Sequence, residues 1–146
     1  DHVRPALNRL GVEEVFWRVP LKPGGPTWFG VAADGTVVFG LPGNPAAAYV
    51  TFSLFARPAI RKLQGLAPFV ERWPAELAAP VELRRRAQAI RVTLEPQPDG
   101  PLLARPTGAQ GSHRTASLAG AWGVAIVPAG EGELAAGSAV AVEPLP

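Results

Sequence analysis

Apolar positions along this chain change their spacing several times, and each change predicts a different element. Val3, Ala6, Leu7 and Leu10 recur at helical intervals and Gly11 follows as a stop, so residues 2–10 are expected to form a helix. From residue 12 to 21 the period shortens to two. Val15, Trp17 and Val19 alternate with Phe16 and Arg18, which predicts a strand that is apolar on at least one face. Lys22-Pro23-Gly24-Gly25-Pro26 opposes regular pairing and is read as a loop. Two apolar runs, 27–32 and 36–39, flank Ala33-Asp34-Gly35, and Asp-Gly between such runs predicts a hairpin.

Gly40-Leu41-Pro42-Gly43-Asn44-Pro45 opens a long apolar segment that reaches about residue 63. Asn44 suits an N-cap and Pro45 the first helical position. Tyr49, Val50, Phe52, Leu54, Phe55 and Ile60 surround the axis, which predicts a helix buried on most sides. Pro58 should kink it or begin a second helix, and Gly65 should end it. Pro68, Pro74 and Pro80 make residues 67–80 read as a linker. Beyond it the period is two: Ile90, Val92 and Leu94 alternate with Arg91, Thr93 and Glu95. Short apolar runs at 102–103, 124–127 and 139–142 predict further strands, and no helix is expected after Gly65. The expected fold class is therefore an α/β part over residues 1–66, a linker at 67–74, and a small all-β, barrel-like domain over 75–146.

An apolar fraction of 47% with 18% charged residues describes a soluble globular protein. The 16 glycines and 17 prolines punctuate apolar runs instead of clustering, which favours short strands and turns. The absence of cysteine excludes a disulfide framework, thiolate zinc and a cysteine nucleophile. With no signal peptide and no apolar stretch of bilayer length, the cytoplasm is the default location and no membrane partner is expected. The chain has no methionine, so it is expected to be processed or cut from a larger fold. Asp1 is read as the N-cap of the first helix. A net charge of +2 includes the run Arg84-Arg85-Arg86, readable as a solvated turn or as an anion site. No aromatics interleave with residues 84–91, so no nucleic-acid partner is expected. Two histidines, His2 and His113, are too few for a histidine metal cage.

The sharpest chemical feature is the strand, then Gly40-Leu41-Pro42-Gly43-Asn44-Pro45, then a helix. Unpaired N–H groups at a helix start attract anions, and glycines let the backbone approach a ligand. A tight, well-capped turn accounts for the same residues equally well. The spacing is not a Walker loop, which needs Gly-Lys-Ser/Thr at the helix start.

That hexapeptide, followed by a helix of small residues, resembles the signature of molybdopterin molybdenumtransferases, the MoeA and gephyrin E-domain family. Other segments agree in order. Asp1-His2-Val3 is similar to the family's Asp-Tyr/His-x start, and Phe16-Trp17-Arg18 to its Phe-Trp-Lys strand. Lys22-Pro23-Gly24-Gly25-Pro26 resembles its Lys-Pro-Gly-Lys-Pro loop, and Gln110-Gly111-Ser112-His113 its Gln-Gly-Ser-His segment. Two departures stand out. Gly25 replaces the second loop lysine, and Arg85-Arg86-Ala87-Gln88-Ala89-Ile90-Arg91-Val92 keeps the basic positions of Gly-Arg-x-x-Phe-x-Arg-Gly without its Phe or glycines.

The resemblance implies an enzyme that takes adenylylated molybdopterin and molybdate, releases AMP with Mg²⁺ present, and works as a homodimer. By position it implies catalytic roles for Asp1 and Lys22, with Asp1 also a ligand for Mg²⁺. It implies substrate contacts for Arg18, Gly40, Pro42, Gly43, Asn44, Arg86 and Ser112. The 146 residues alone are expected to lack appreciable transferase activity. A non-catalytic dimerisation or scaffold module is the competing expectation. Convergence of Lys22 and Arg86 on one basic cleft separates the two, because a scaffold does not require it.

Overall fold

The computed structural model describes residues 2–146. Its first part runs α1 (Val3–Arg9), β1 (Glu13–Trp17), β2 (Leu21–Lys22), β3 (Trp28–Val31), β4 (Val37–Gly40) and α2 (Pro45–Thr51). A π-helical segment, Phe52–Ala56, joins α2 to α3 (Arg57–Leu63). His2 precedes α1 without a side-chain cap, and the Asp1 cap expected from sequence lies outside the described residues. Gly11 ends α1 in the left-handed region, at φ 75°.

The hairpin forms as expected. β3 and β4 pair antiparallel, Gly35 takes φ 85°, and Asp34 Oδ1 accepts the Thr36 N–H at 2.9 Å. β1 adds to the outer side of β3. Phe16 stacks near Phe29 and Phe29 near Phe39, with centroids 5.7 and 4.8 Å apart. The even-numbered residues of β1 are therefore its half-buried face. Val15 and Trp17, expected on an apolar face, are 58% and 37% exposed.

The strand expected over 12–21 is also broken. Arg18 adopts φ 71°, a conformation that L-residues other than glycine rarely take and that ends the extended run. Pairing resumes at β2, where the expected strand meets the stretch read as a loop. Leu21 and Lys22 pair in parallel with Ala87 and Gln88.

In the helical stretch the buried residues are the small ones. Ala46, Ala47, Val50, Thr51, Ser53 and Ala56 are inaccessible, while Ile60 is 44% exposed and α3 has no buried residue. Small side chains let the helix lie close to its neighbours. The Thr51 and Ser53 hydroxyls donate to the Ala47 and Tyr49 carbonyls, which removes the cost of burying them. The helix expected to be buried on most sides thus keeps Tyr49, Phe52, Leu54 and Phe55 only half-buried and Ile60 exposed. Pro58 lies in the first turn of α3, just after the π-helical segment.

The second part contains β5 (Trp73–Leu77), β6 (Val81–Glu82), β7 (Ala87–Gln97), β8 (Gly100–Pro106), β9 (Gly123–Val127), β10 (Glu133–Leu134) and β11 (Ala139–Pro144), with a 3₁₀ turn at Thr115–Ser117. β5 passes through the proline-bearing stretch read as a linker. The order β7-β8-β5-β11-β9 closes because β9 also pairs with β7. The result is a five-stranded barrel, whose closure leaves no free edge among its members. Leu77, Ile90, Val92, Leu94, Val127 and Val142 fill the interior, as the period-two pattern predicts.

The two parts share a second apolar cluster. Leu21 from β2, Val50 from α2, Ala89 from β7 and Val124 from β9 are buried together. Tyr49 donates to the Pro146 carbonyl at 2.7 Å, and Arg57 to the Pro144 carbonyl at 2.7 Å. This packing fixes the loops of one part against those of the other. No helix among the described residues is long and apolar enough to cross a membrane.

Candidate functional site

Lys22 is carried to the barrel by β2. Its parallel pairing with β7 sets Lys22 opposite Gln88, two residues beyond Arg86. Lys22 and Arg86 line one open cleft together with Arg84, Arg85, Glu82 and Glu131. Lys22 also lines an adjoining cleft of about 370 Å³ with Gln88, Gln110 and Gly111. The cation from the first part and the cation from the barrel thus converge, and both remain exposed.

The glycine that replaces the second loop lysine has a structural counterpart. A Cβ on Gly25 would lie 2.9 Å from Arg86 Nη1. The guanidinium therefore takes the room above Gly25, so a positive charge stands over the loop although the loop itself has lost one. Arg18 lines a shallow cleft with Gly25 and Arg86. Next to Gly25, Gly24 sits at φ 123° against Thr51, where a Cβ would come within 2.5 Å of the threonine methyl. Only glycine allows the loop to sit this close to α2.

Asn44 occupies the N-cap position of α2 but caps nothing with its side chain. Its amide instead donates to Ser112 Oγ at 3.1 Å, tying the start of α2 to the barrel's 107–117 loop. Sequence reasoning assigned this side chain to its own helix, and a contact spanning 68 positions leaves no local signal.

The remaining expected residues lie apart. Gly40, Pro42 and Gly43 line a separate cleft of about 420 Å³, walled by Arg4, Trp17 and Trp28. Pro26 lies on the rim of this cleft and of the one at Arg18. Arg4 and Arg18 both place their guanidinium carbons over the Trp17 ring, at 4.2 and 4.3 Å from its centroid, a cation–π arrangement. Arg4 is also paired with Glu14, which accepts the Trp28 indole N–H at 2.6 Å. The hydrogen bond from Arg4, then that from Trp28, holds the Glu14 carboxyl below the usual carboxylate range. Arg4 and Trp28 are lining residues that sequence reasoning did not single out. Their spacing matches no motif, and only the fold brings them to a cleft.

Asp1 lies outside the described residues. Among those described, no three His, Asp or Glu side chains converge as a metal cluster. The described residues thus offer no three-ligand cluster to a Mg²⁺ ion.

A barrel docked on an α/β unit, with cations from both at the joint, defines a two-part protein suited to an anionic ligand. Comparison with known proteins gives it a family. Residues 74–145 match the family model "MoeA C-terminal region (domain IV)", and residues 1–62 match "Probable molybdopterin binding domain". The chain belongs to the MoeA family. It is 33% identical to gephyrin of Dictyostelium discoideum over 96% of this chain and 23% of that protein. It is 32% identical to a molybdopterin molybdenumtransferase of Bacillus subtilis, over 89% of this chain and 30% of that one. A molybdopterin biosynthesis MoeA protein from Pyrococcus horikoshii superposes with a TM-score of 0.78 at 29% identity, covering 97% of this chain and 34% of the other. The chain thus spans roughly a quarter to a third of the length of such relatives.

Proposed function

We propose that this chain supplies part of the substrate cleft of a molybdopterin molybdenumtransferase, which inserts molybdate into adenylylated molybdopterin and releases AMP. The observation that carries the reading is the convergence of Lys22 and Arg86, from separate parts of the fold, on one cleft. Molybdate and the adenylate phosphates are oxyanions. Fixed cations aimed at such groups neutralise charge as it redistributes, and require no reorganisation when the reaction occurs.

In this reading Lys22 provides a compact ammonium and Arg86 a planar fork. Ser112, held by Asn44, offers a hydroxyl to an oxyanion oxygen. Arg18 borders the same region through Gly25, while Gly40, Pro42 and Gly43 border the neighbouring aromatic cleft, where a flat ring would be held. Asp1 is assigned a carboxylate role near the phosphates. A Mg²⁺ ion in such chemistry is usually held by one or two carboxylates and by substrate phosphates, a role Asp1 would share with the substrate. We further assign the protein to the cytoplasm and to a homodimer, by the same family reading.

A scaffold module of the same family remains the competing reading, and it does not call for paired cations at the joint. Calorimetric titration of the chain with molybdate and with adenylylated molybdopterin, beside the Lys22→Ala variant, tests the proposal. A roughly tenfold or greater loss with an intact fold is expected, the size of one charge-assisted contact. Unchanged binding would put the chemistry elsewhere and move the scaffold reading ahead.

A further inference from the structure

Arg91 has the largest fully buried side chain among the described residues. It sits on β7 between Ile90 and Val92, which point into the barrel, so alternation directs it outward. There the 107–117 loop and its 3₁₀ turn fold over it. No carboxylate pairs with it among the described residues, and burial pulls its guanidinium below the ordinary arginine range. A charge buried without a counter-ion is costly unless its surroundings hold it by hydrogen bonds.

Those bonds all lead to one segment. The backbone N–H of Arg91 donates to Gln110 Oε1 at 2.9 Å, and its carbonyl accepts from Gln110 Nε2 at 3.2 Å. The same carbonyl accepts from Thr107 N at 3.0 Å. The side chain donates from Nε to Ser117 Oγ at 2.7 Å, and from Nη2 to the Gly111 carbonyl at 3.4 Å. Thr107 Oγ1 donates to the Ser117 carbonyl at 2.6 Å and so closes the neck of the loop. Nη1 is buried with no partner. The loop itself supplies little packing: its residues are polar or small and only Ser117 is buried. Arg91 bonds it at four residues, Thr107, Gln110, Gly111 and Ser117.

We propose that Arg91 is a positioning residue for the anion cleft. Its guanidinium and backbone clamp the 107–117 loop, so that Ser112 stands where an oxyanion held by Lys22 and Arg86 can meet it. The inference rests on the anion-binding reading given above. The role belongs to the guanidinium's two-point geometry, because Nε and Nη2 reach acceptors at the end and in the middle of the loop. A lysine at this place keeps the charge but loses the fork.

The test uses the 146-residue chain with sodium molybdate as the probe. Arg91→Met, Arg91→Lys, Ser112→Ala and the Arg91→Met/Ser112→Ala pair are compared by calorimetric titration and by amide hydrogen exchange. Exchange across 108–117 should quicken at least tenfold in Arg91→Met, while the amides of β8 and β11 keep their protection. Molybdate affinity should fall to the level of Ser112→Ala, and the double variant should bind no more weakly than either single one. Arg91→Lys, the safer variant should Met unfold the barrel, should loosen the loop and bind as weakly as Ser112→Ala. Full affinity in Arg91→Lys would reduce the role to charge, and additive losses in the pair would show that Arg91 does not act through Ser112. Either result overturns the proposal. A wild-type chain that ignores molybdate would instead refute the anion-binding reading, and the positioning role with it. The exchange data would still show whether Arg91 orders the loop.

Discussion

Gly25→Ala probes the joint between the two parts with a single methyl group. The new Cβ would meet Arg86 Nη1 at 2.9 Å, with the Leu21 and Val19 carbonyls at a tolerable 3.7 and 3.9 Å. Gly25 does not occupy the left-handed region, so its backbone accepts alanine. The burden falls on the guanidinium tip, which must retreat by about half an ångström or more to reach ordinary contact. A hydrogen bond from a charged donor contributes about 1.5–3 kcal/mol. Arg86 is exposed and can swing to recover part of it, which leaves a net loss of about 1 kcal/mol, roughly fivefold in affinity. Stability should change by less than about 0.5 kcal/mol, as for a surface substitution that leaves the core untouched. Molybdate titration beside a thermal melt reads both quantities. An unchanged affinity with an intact fold would refute the placement of Arg86 against the anion. Gly25→Ala made in an Arg86→Ala background should cost nothing further.

Two other outcomes follow from the packing. Val50 is fully buried between α2 and the barrel, so Val50→Ala should cost about 2–3 kcal/mol from lost transfer energy plus residual cavity. In urea, tryptophan fluorescence and far-UV circular dichroism should move together, and a barrel that melts at its wild-type midpoint would show that the parts do not cooperate. Glu14 has its carboxyl lowered in the folded state by Arg4 and Trp28. The stability it contributes is therefore present above the ordinary carboxylate range and lost as pH falls through the lowered value. Glu14→Gln should flatten the acid side of the stability curve, and an unaltered acid limb would dismiss the contribution.

Much of the fold was written locally. Asp34-Gly35 between apolar runs specified the hairpin, and the alternation of Ile90, Val92 and Leu94 named the barrel's inner face. Long-range pairing was less legible. Nothing in Pro20-Leu21-Lys22-Pro23 announces a strand separate from the one expected over 12–21, because β2 is only two residues long and gains its partner from β7, more than sixty positions away. The facing of β1 failed for a related reason. Val15 and Trp17 look as apolar as Phe16, and only the rings of Phe29 and Phe39 decide which side turns inward. Among the site residues, Lys22 and Arg86 were named by resemblance, but their meeting depends on that same short strand. Arg91 shows the limit most clearly. Its place opposite Ile90 and Val92 in the alternation reads as solvent-facing, and what buries it is a polar loop with no apolar pattern.

The short parallel strand therefore shapes more of the cleft than its length implies. Without β2, the loop of Lys22 would belong only to the α/β part, and Arg86 only to the barrel. Pairing Leu21 and Lys22 with Ala87 and Gln88 sets the two cations on one wall, while Leu21 anchors the strand in the cluster formed by Val50, Ala89 and Val124. Asn44 to Ser112 ties the two parts a second time, and Gly24 against Thr51 keeps the loop close to α2. All of these ties except the last cross between the parts, so the cleft is a property of the joint. A site made this way gains its charge geometry from apolar packing some distance from the ligand. Substitutions in the Leu21–Val50–Ala89–Val124 cluster should then weaken anion binding without removing a single charged group.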